Sequence, residues 1–219
     1  MIYFLQRNSK KIRNENSILE KFAECGITYL ALHERWSAIQ NYGLPKDEKY
    51  FKNLVEDCHK LGIKVMVYFG YEISSLYPGF NNCFERYVAK NQEGNTVGGW
   101  QRMPIQRDYT VCYKGGYGDV VVNRACHAID EYGVDAIYTD AFCIPWDCYN
   151  EAHGCGYRAK DGTINPTYPI FSVRENAKKL YREIKKRGAH HDTHQSSCCL
   201  MATVGFADSY YDGENLQDM

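Results

Sequence analysis

The segment Tyr-Gly-Val-Asp-Ala-Ile-Tyr-Thr-Asp at residues 132–140 decides the fold, because a glycine here joins a predicted helix to a short apolar strand. The same order of amphipathic helix, glycine, apolar strand and polar residues recurs around Gly26, Gly62 and Gly188. Glycine is favoured just past a helix C-terminus, since it takes a positive φ without steric cost. Helices and strands in strict alternation predict a parallel sheet with crossover helices.

One α/β domain over residues 1–219 accounts for this order. Two segments, 70–118 and 141–169, interrupt this alternation. We expect both to be long loops and the first to be a substrate-side insertion. A closed (β/α)8 TIM-type barrel has eight strands and usually about 250 residues. We therefore expect an incomplete barrel with about strands 2 to 6; a complete doubly wound open sheet is the alternative. The predicted helices are 16–25, 47–61, 119–132 and 170–187, and the predicted strands are 27–32, 63–69, 134–140, 190–195 and 206–212.

The charge and the hydropathy of the chain limit the classes of partner that it is expected to bind. Lys and Arg number 26 and Asp and Glu number 27, so the net charge of -1 gives no electrostatic reason to expect nucleic acid or an anionic membrane. No apolar run approaches the roughly 18 residues of a membrane span. The first residues contain no apolar segment of signal-peptide length. The expected partner is a polar small molecule, and the sequence assigns neither a cell compartment nor an oligomeric state.

Carboxylates follow two of the predicted strands. In barrel folds the active site lies at the C-terminal strand ends. Asp140 closes one strand on the same face as Ala136 and Tyr138, while Asp212 and Glu214 follow the last strand. Glycoside hydrolysis needs two such groups, one to attack or to activate water and one to protonate the leaving oxygen. We predict Asp140 as nucleophile or cation stabiliser, Glu214 as general acid/base and Asp212 as a hydroxyl-binding or charge-tuning partner. A helix or turn cap and a solvated acidic turn are the alternatives.

The strand at 190–196 is polar on both faces, although a buried parallel strand is normally rich in Val, Ile and Leu. Such a local violation favours a functional site, and hydrogen bonding to sugar hydroxyls is the simplest role. Metal ligation by His and Asp and a satisfied core network are the alternatives. The predicted sugar-binding residues at strand ends and in the second loop are His33, Arg35, Trp36, Tyr71, Glu72, Trp146, Asp192, His194 and Gln195.

Cysteines are numerous, ten in all, and the second loop holds Cys143, Cys148, His153 and Cys155. This C-x4-C-x4-H-x-C pattern departs from standard zinc spacings, in which paired ligands lie about two to four residues apart. A disulfide between Cys148 and Cys155, free thiols and a metal knuckle are all compatible with it. No metal ligand and no cofactor is therefore predicted.

Residues 132–140 resemble the fourth-strand signature of barrel glycosidases in the α-galactosidase-like superfamily, where this strand delivers the nucleophilic aspartate. Residues 26–36 and 62–71 resemble the second and third strands of those enzymes. Segments farther along the chain look like a group of bacterial glycoside-hydrolase-like barrels that is similar to glycoside hydrolase family 123; they are 145–157, 194–197 and 211–214.

The resemblance implies a glycoside hydrolase acting on carbohydrate, with Asp140 at the nucleophile position and Asp212 or Glu214 at the acid/base position. Family 123 enzymes use an adjacent Asp-Glu pair, whereas Asp140 is followed by Ala141, so the likeness does not extend to that pair. Two other functions are kept as alternatives. One is a non-catalytic or decayed carbohydrate-binding barrel, and the other is a metal-dependent hydrolase that uses the histidine strand and the Cys/His loop.

Overall fold

The computed structural model describes residues 2–5, 15–194 and 200–211. All four predicted helices and all five predicted strands are present, with ends shifted by at most three residues. In chain order the elements are β1 (Ile2–Leu5), α1 (Glu15–Glu24), β2 (Tyr29–Leu32), α2 (Glu48–Lys60), β3 (Lys64–Phe69), β4 (Glu72–Ser74), α3 (Phe80–Tyr87), β5 (Gly98–Arg102), β6 (Gln106–Thr110), α4 (Tyr117–Tyr132), β7 (Ala136–Thr139), β8 (Tyr157–Arg158), β9 (Ile164–Asn165), α5 (Ile170–Lys186), β10 (His190–His194), α6 (Met201–Val204) and β11 (Ser209–Tyr211).

The main sheet has the strand order β1-β2-β3-β7-β10-β11, and every neighbouring pair in it is parallel. This order follows the chain without a reversal. A doubly wound sheet reverses its strand order at a switch point, so the open-sheet alternative is wrong for the described residues. The arrangement is that of a partial barrel.

A first strand, β1, precedes the strands that the sequence predicted, and it pairs with β2. The expectation that about strands 2 to 6 are present is therefore corrected to strands 1 to 6. Four residues are too few for a periodicity argument to separate a strand from an apolar coil.

The helices form one layer on the outer face of the sheet. Along this layer α1 contacts α2, α2 contacts α4, and α4 contacts α5. Helix α5 buries Val173, Ala177, Leu180 and Ile184, which recur every three or four residues on one face. No helix in the described part of the chain is long and apolar enough to cross a membrane.

The inner face of the sheet is lined by aromatic and polar side chains. Tyr68 and Tyr138 lie on neighbouring strands with ring centroids 5.7 Å apart. Tyr29 on β2 and His190 on β10 approach to 6.0 Å, although β3 and β7 lie between these two strands. The sheet is therefore strongly curled, and side chains on its inner face converge.

The two interrupting segments are partly ordered secondary structure, which corrects the expectation of plain loops. The first contains α3 and a three-stranded antiparallel sheet of order β4-β6-β5. The second contains the antiparallel pair β8-β9. Alternation in β6 places Gln106, Asp108 and Thr110 inward, so its buried face is polar and carries no apolar signal. We call these segments, 70–118 and 141–169, the first and second insertions.

Candidate active site

Asp140 stands directly after β7, and its backbone N–H donates to the carbonyl of Phe69 on the neighbouring strand at 2.8 Å. The hydroxyl of Tyr68, on β3, donates to Asp140 Oδ2 at 2.8 Å. His194 Nδ1, at the end of β10, lies 3.0 Å from Asp140 Oδ1. Because an ionised carboxylate can only accept, Nδ1 carries the hydrogen. Both strands that flank β7 thus hold the same carboxylate.

The electrostatics favour an ionised Asp140. Burial alone would raise the pKa of this carboxyl, but the hydrogen bonds from His194 and Tyr68, together with the nearby charges of His194 and His33, outweigh it and lower the pKa below its ordinary value. The side chain remains 21% exposed. An anionic oxygen is therefore fixed in orientation and still reachable from solvent.

The chain turns sharply after this carboxylate. Ala141 is buried and adopts φ 52, a left-handed conformation that residues other than glycine rarely take. Backbone strain of this kind is concentrated at functional sites, because the surrounding structure must impose it. The turn separates Asp140 from the second insertion that follows.

Three aromatic rings form a surface that we call the aromatic platform: Tyr71, Trp100 and Trp146. Tyr71 lies 6.5 Å from Trp100 and 5.9 Å from Trp146, measured between ring centroids, and both tryptophans are exposed. Burial raises the pKa of Tyr71 to about 12, so its hydroxyl stays protonated. Tyr71 and Trp146 were predicted, whereas Trp100 was missed because it lies deep in the first insertion, away from any predicted strand end.

An ionic cluster lies beside the strand ends. Arg102, on β5, contacts the carboxylates of Glu34 and Glu72, the latter at 3.2 Å, and its Nε lies 2.5 Å from Asp108 Oδ2. Burial raises the pKa of Asp108 to about 7, and Arg102 offsets part of this effect. Burial likewise raises the pKa of Glu72, against the influence of Arg102 and of Asn41. No sequence pattern pointed to Arg102, because its partners lie on three different elements.

Glu72, predicted to bind sugar, is only 2% exposed, and its Oε2 accepts a hydrogen bond from Asn41 Nδ2 at 2.8 Å. Protein groups thus occupy both carboxylate oxygens. Glu72 is therefore buried beneath the site, where it binds Asn41 and Arg102, and it does not line the open surface.

Trp36 is corrected from a sugar-stacking residue to a core residue. Its ring is buried against Phe51 and Phe69, with centroids 5.4 and 5.7 Å away, and its Nε1 donates to the carbonyl of Tyr68 at 2.8 Å. A short 3-10 turn after β2 directs this ring into the core. The neighbouring Arg35 is exposed.

His33 and Asp192, two other predicted residues, lie on the inner face. The His33 ring is 4.4 Å from the Tyr68 ring, and burial lowers the pKa of His33. Asp192 is buried two positions before His194 and accepts from the hydroxyl of Ser209 at 2.6 Å. Burial raises the pKa of Asp192. It lies beneath the strand ends and supports the inner layer.

Three predicted residues, Gln195, Asp212 and Glu214, lie outside the described residues. The last described residue of β11, Tyr211, has its ring 5.5 Å from that of His194. Asp212 and Glu214 follow Tyr211 in the sequence, so their assignment as acid/base stays a prediction.

The cysteines group differently from the sequence pattern. Cys112, Cys148, His153 and Cys155 bring their sulfur and nitrogen atoms within 4.8 Å of one another, and we call them the Cys–His cluster. Cys143 is not a member, since its sulfur lies 3.7 Å from the hydroxyl of Thr193. Its place is taken by Cys112, from the end of the first insertion.

The metal-dependent alternative joined the histidine strand to the Cys/His loop. In the described residues, the Cys–His cluster is the only group of three or more His, Cys, Asp or Glu side chains arranged to hold a metal. His194 bonds to Asp140, and His190 bonds to Ser209 at 2.7 Å. The two parts therefore do not form one centre.

Comparison with known proteins gives a family and a fold. A family model described as "Domain of unknown function (DUF6259)" matches residues 33–164. No curated protein matches the sequence.

The structure is similar to solved glycoside hydrolases. An α-galactosidase from Thermus thermophilus, in complex with stachyose, superposes with a TM-score of 0.62 and 13% identity, over 95% of this chain and 42% of that one. A trehalose-6-phosphate hydrolase from Bacillus licheniformis gives 0.62 and 15%, over 90% and 44%. An α-N-acetylgalactosaminidase from Bifidobacterium bifidum gives 0.59 and 15%, over 88% and 34%.

At these identities the likeness establishes a glycoside hydrolase-like fold, and it gives no support to a particular relation with glycoside hydrolase family 123. This chain spans less than half the length of each of the three structures.

Proposed function

The chain belongs to the DUF6259 family, and we propose that it is a glycoside hydrolase in which Asp140 acts on the anomeric carbon of a sugar. One observation carries this proposal: an ionised, partly exposed carboxylate is held by two hydrogen bonds at the carboxyl end of the fourth barrel strand. That strand end is a usual place for catalytic groups in barrel enzymes.

The proposed chemistry has two half-reactions. Asp140 attacks the anomeric carbon while the glycosidic C–O bond breaks, and the leaving oxygen takes a proton from a second carboxylic acid. Water then attacks the same carbon and releases Asp140, and its proton returns to the second carboxylate. Glu214, with Asp212 as partner, is our proposal for that second group, because both follow the strand that ends against His194.

Tyr68 and His194 would orient Asp140 and keep its negative charge available. The aromatic platform of Tyr71, Trp100 and Trp146 would bind the apolar face of a sugar ring, while polar side chains such as Arg35 meet its hydroxyls. Two of the structural neighbours, the α-galactosidase and the α-N-acetylgalactosaminidase, act on α-linked sugars by their names, which supports α-glycosides as the first substrates to test.

The test is hydrolysis of p-nitrophenyl α-galactoside, α-N-acetylgalactosaminide and α-glucoside. Asp140→Asn should lower kcat/KM for the best substrate by about 10³-fold or more, because it removes the nucleophile while keeping the shape. Asp57→Asn is the matched control, since Asp57 lies on α2 and forms a surface ion pair with Lys60. It should leave kcat/KM unchanged.

Azide added to Asp140→Ala should yield a glycosyl azide, which identifies the attacked position. Full activity in both Asp140→Asn and Glu214→Gln would show that the assignment is wrong. Sugar binding by calorimetry that survives both changes, without hydrolysis in the unaltered protein, would instead establish the carbohydrate-binding barrel.

A further inference from the structure

The Cys–His cluster joins the two insertions. Cys112 closes the first insertion's sheet, and Cys148, His153 and Cys155 come from the second insertion. All three cysteines are buried. The cluster lies apart from the apolar core of the barrel, in a small group that also contains Ala89.

The spacing of the four atoms fits a tetrahedral metal ion. Zinc bound at about 2.3 Å from sulfur and about 2.0 Å from nitrogen gives S···S edges of about 3.8 Å and S···N edges of about 3.5 Å. Cys112 Sγ and Cys155 Sγ are 3.8 Å apart, and Cys148 Sγ lies 3.3 Å from His153 Nε2. All four atoms fall within 4.8 Å.

Groups around the cluster prepare two of its members for coordination. His153 Nδ1 lies 2.8 Å from the carbonyl of Arg86, and since a carbonyl only accepts, Nδ1 carries the hydrogen and Nε2 presents its lone pair to the sulfurs. The backbone N–H of Asn150 points at Cys148 Sγ from 3.4 Å, an interaction that stabilises a thiolate. Asn150 in turn donates its amide to the carbonyls of Glu85 and Val88, each at 2.8 Å, and so ties the turn to the first insertion.

A disulfide explains this grouping less well. Pairing any two of the three cysteines would leave the third thiol and the His153 nitrogen facing each other without a role. The sulfurs of Cys112 and Cys155 are also far beyond the roughly 2.05 Å of an S–S bond.

We propose that Cys112, Cys148, His153 and Cys155 bind one Zn²⁺ and that this ion fastens the two insertions together beside the sugar site. The three thiols give up their protons to solvent on binding, and the imidazole stays neutral. Four protein ligands fill the coordination sphere, so the ion is structural rather than catalytic. Trp146 stands two residues before Cys148, so the ion would also hold part of the aromatic platform in place.

The first experiment measures zinc by elemental analysis of the full chain, expressed without added metal and purified without chelator. About one equivalent per chain is expected. Replacement of the ion by Co²⁺ should give thiolate-to-cobalt charge-transfer absorption and the visible bands of a tetrahedral site. Cys148→Ser should lose both the zinc and these bands, whereas Cys143→Ser, in the same loop but outside the cluster, should keep them.

A readout on the unaltered protein covers the case in which Cys148→Ser fails to fold. Counting thiols with a disulfide reagent before and after chelation should reveal three additional reactive cysteines. Zinc below about 0.1 equivalent together with no Co²⁺ charge-transfer band would overturn the proposal. So would a disulfide between any two of Cys112, Cys148 and Cys155 in a peptide map. The test does not depend on the proposed hydrolase activity.

Discussion

The main sheet and the two insertions bring residues together by different means. In the sheet, Asp140, Tyr68 and His194 meet because parallel pairing places the ends of neighbouring strands side by side. In the insertions, Arg102 forms ion pairs and Cys112 joins the Cys–His cluster, in both cases with residues from distant parts of the chain. The register of parallel strands predicts which residues lie side by side in the sheet. No comparable rule predicts which residues of an insertion come into contact.

The difference extends to stability. The sheet, its helices and parts of both insertions share one large apolar core, to which the insertions add side chains such as Ile73, Val88 and Phe142. A second, smaller group of buried residues in the described part of the chain consists of Ala89, Cys112, Cys148 and Cys155. Helix α3 of the first insertion has no fully buried residue. In the described parts of the insertions that lie outside the large core, we therefore expect ionic contacts and the proposed zinc to contribute more to stability than they do in the sheet.

Substitution of Arg102 tests whether the ionic cluster stabilises the first insertion, and it has the largest expected effect. Arg102→Met should lower the free energy of unfolding at pH 8 by about 3 kcal/mol or more, because it leaves Glu72 and Asp108 buried without their cation. Urea denaturation measures the change. The control is Arg158→Met in the second insertion, whose ion pair with Glu151 is exposed to solvent, so its loss should change the free energy of unfolding far less. Equal losses in the two variants would mean that the ionic cluster does not stabilise the first insertion.

His191 is a buried polar residue of the main sheet, and it predicts how the stability of the sheet depends on pH. It is fully buried on β10, its Nδ1 hydrogen-bonds to the carbonyl of Phe206 at 2.8 Å, and its Nε2 lies 3.0 Å from Thr139 Oγ1. Burial lowers the pKa of His191 to about 4, against the opposing influences of the Phe206 carbonyl and of Asp208. The unfolded chain therefore takes up the proton near pH 6.5, before the folded protein does.

The free energy of unfolding therefore decreases as the pH falls from about 6.5 to about 4, and the loss approaches about 3 kcal/mol. His191→Gln should flatten this part of the stability curve, as measured by urea unfolding at several pH values. His127→Gln, a half-buried position on α4, should keep the wild-type slope. A wild-type slope in His191→Gln would show that other groups cause the acid loss.

Much of the sheet could be predicted from sequence, because helix periodicity, glycine ends and apolar runs are local signals. The four helices, five of the strands and the position of Asp140 follow from them. Strand parity also predicts that Asp192 and His194 share a face. Parity cannot say how deep each residue lies, so Asp192 and Glu72 are found buried where open binding residues were expected.

The insertions could not be predicted in the same way. Cys112 precedes Cys148 by 36 positions, so the sequence pattern grouped Cys143 with the cluster instead. Trp36 illustrates a different limit: residues after a strand end look alike in sequence, whether the next turn directs them to solvent or into the core. Here a 3-10 turn placed Arg35 outside and Trp36 inside.

Substitution of Tyr68 has the smallest expected effect, and it tests how the strand next to β7 controls the ionisation of Asp140. Its hydroxyl donates to Asp140 Oδ2 at 2.8 Å and is one of the groups that lower the pKa of Asp140. Tyr68→Phe should therefore raise that pKa, because it removes a hydrogen bond that stabilises the charged carboxylate. The acid limb of the kcat/KM profile should move to higher pH.

The matched control is Tyr181→Phe, which removes a hydroxyl bonded to the carboxylate of Asp208 at 3.1 Å on the outer helical layer. That variant should leave the acid limb in place. If Tyr68→Phe lowers kcat/KM equally at every pH, Tyr68 serves only to position Asp140. If it changes nothing while Asp140→Asn is inactive, the hydrogen bond from His194 alone keeps the nucleophile ionised, and strand pairing with β10 rather than β3 holds the active carboxylate.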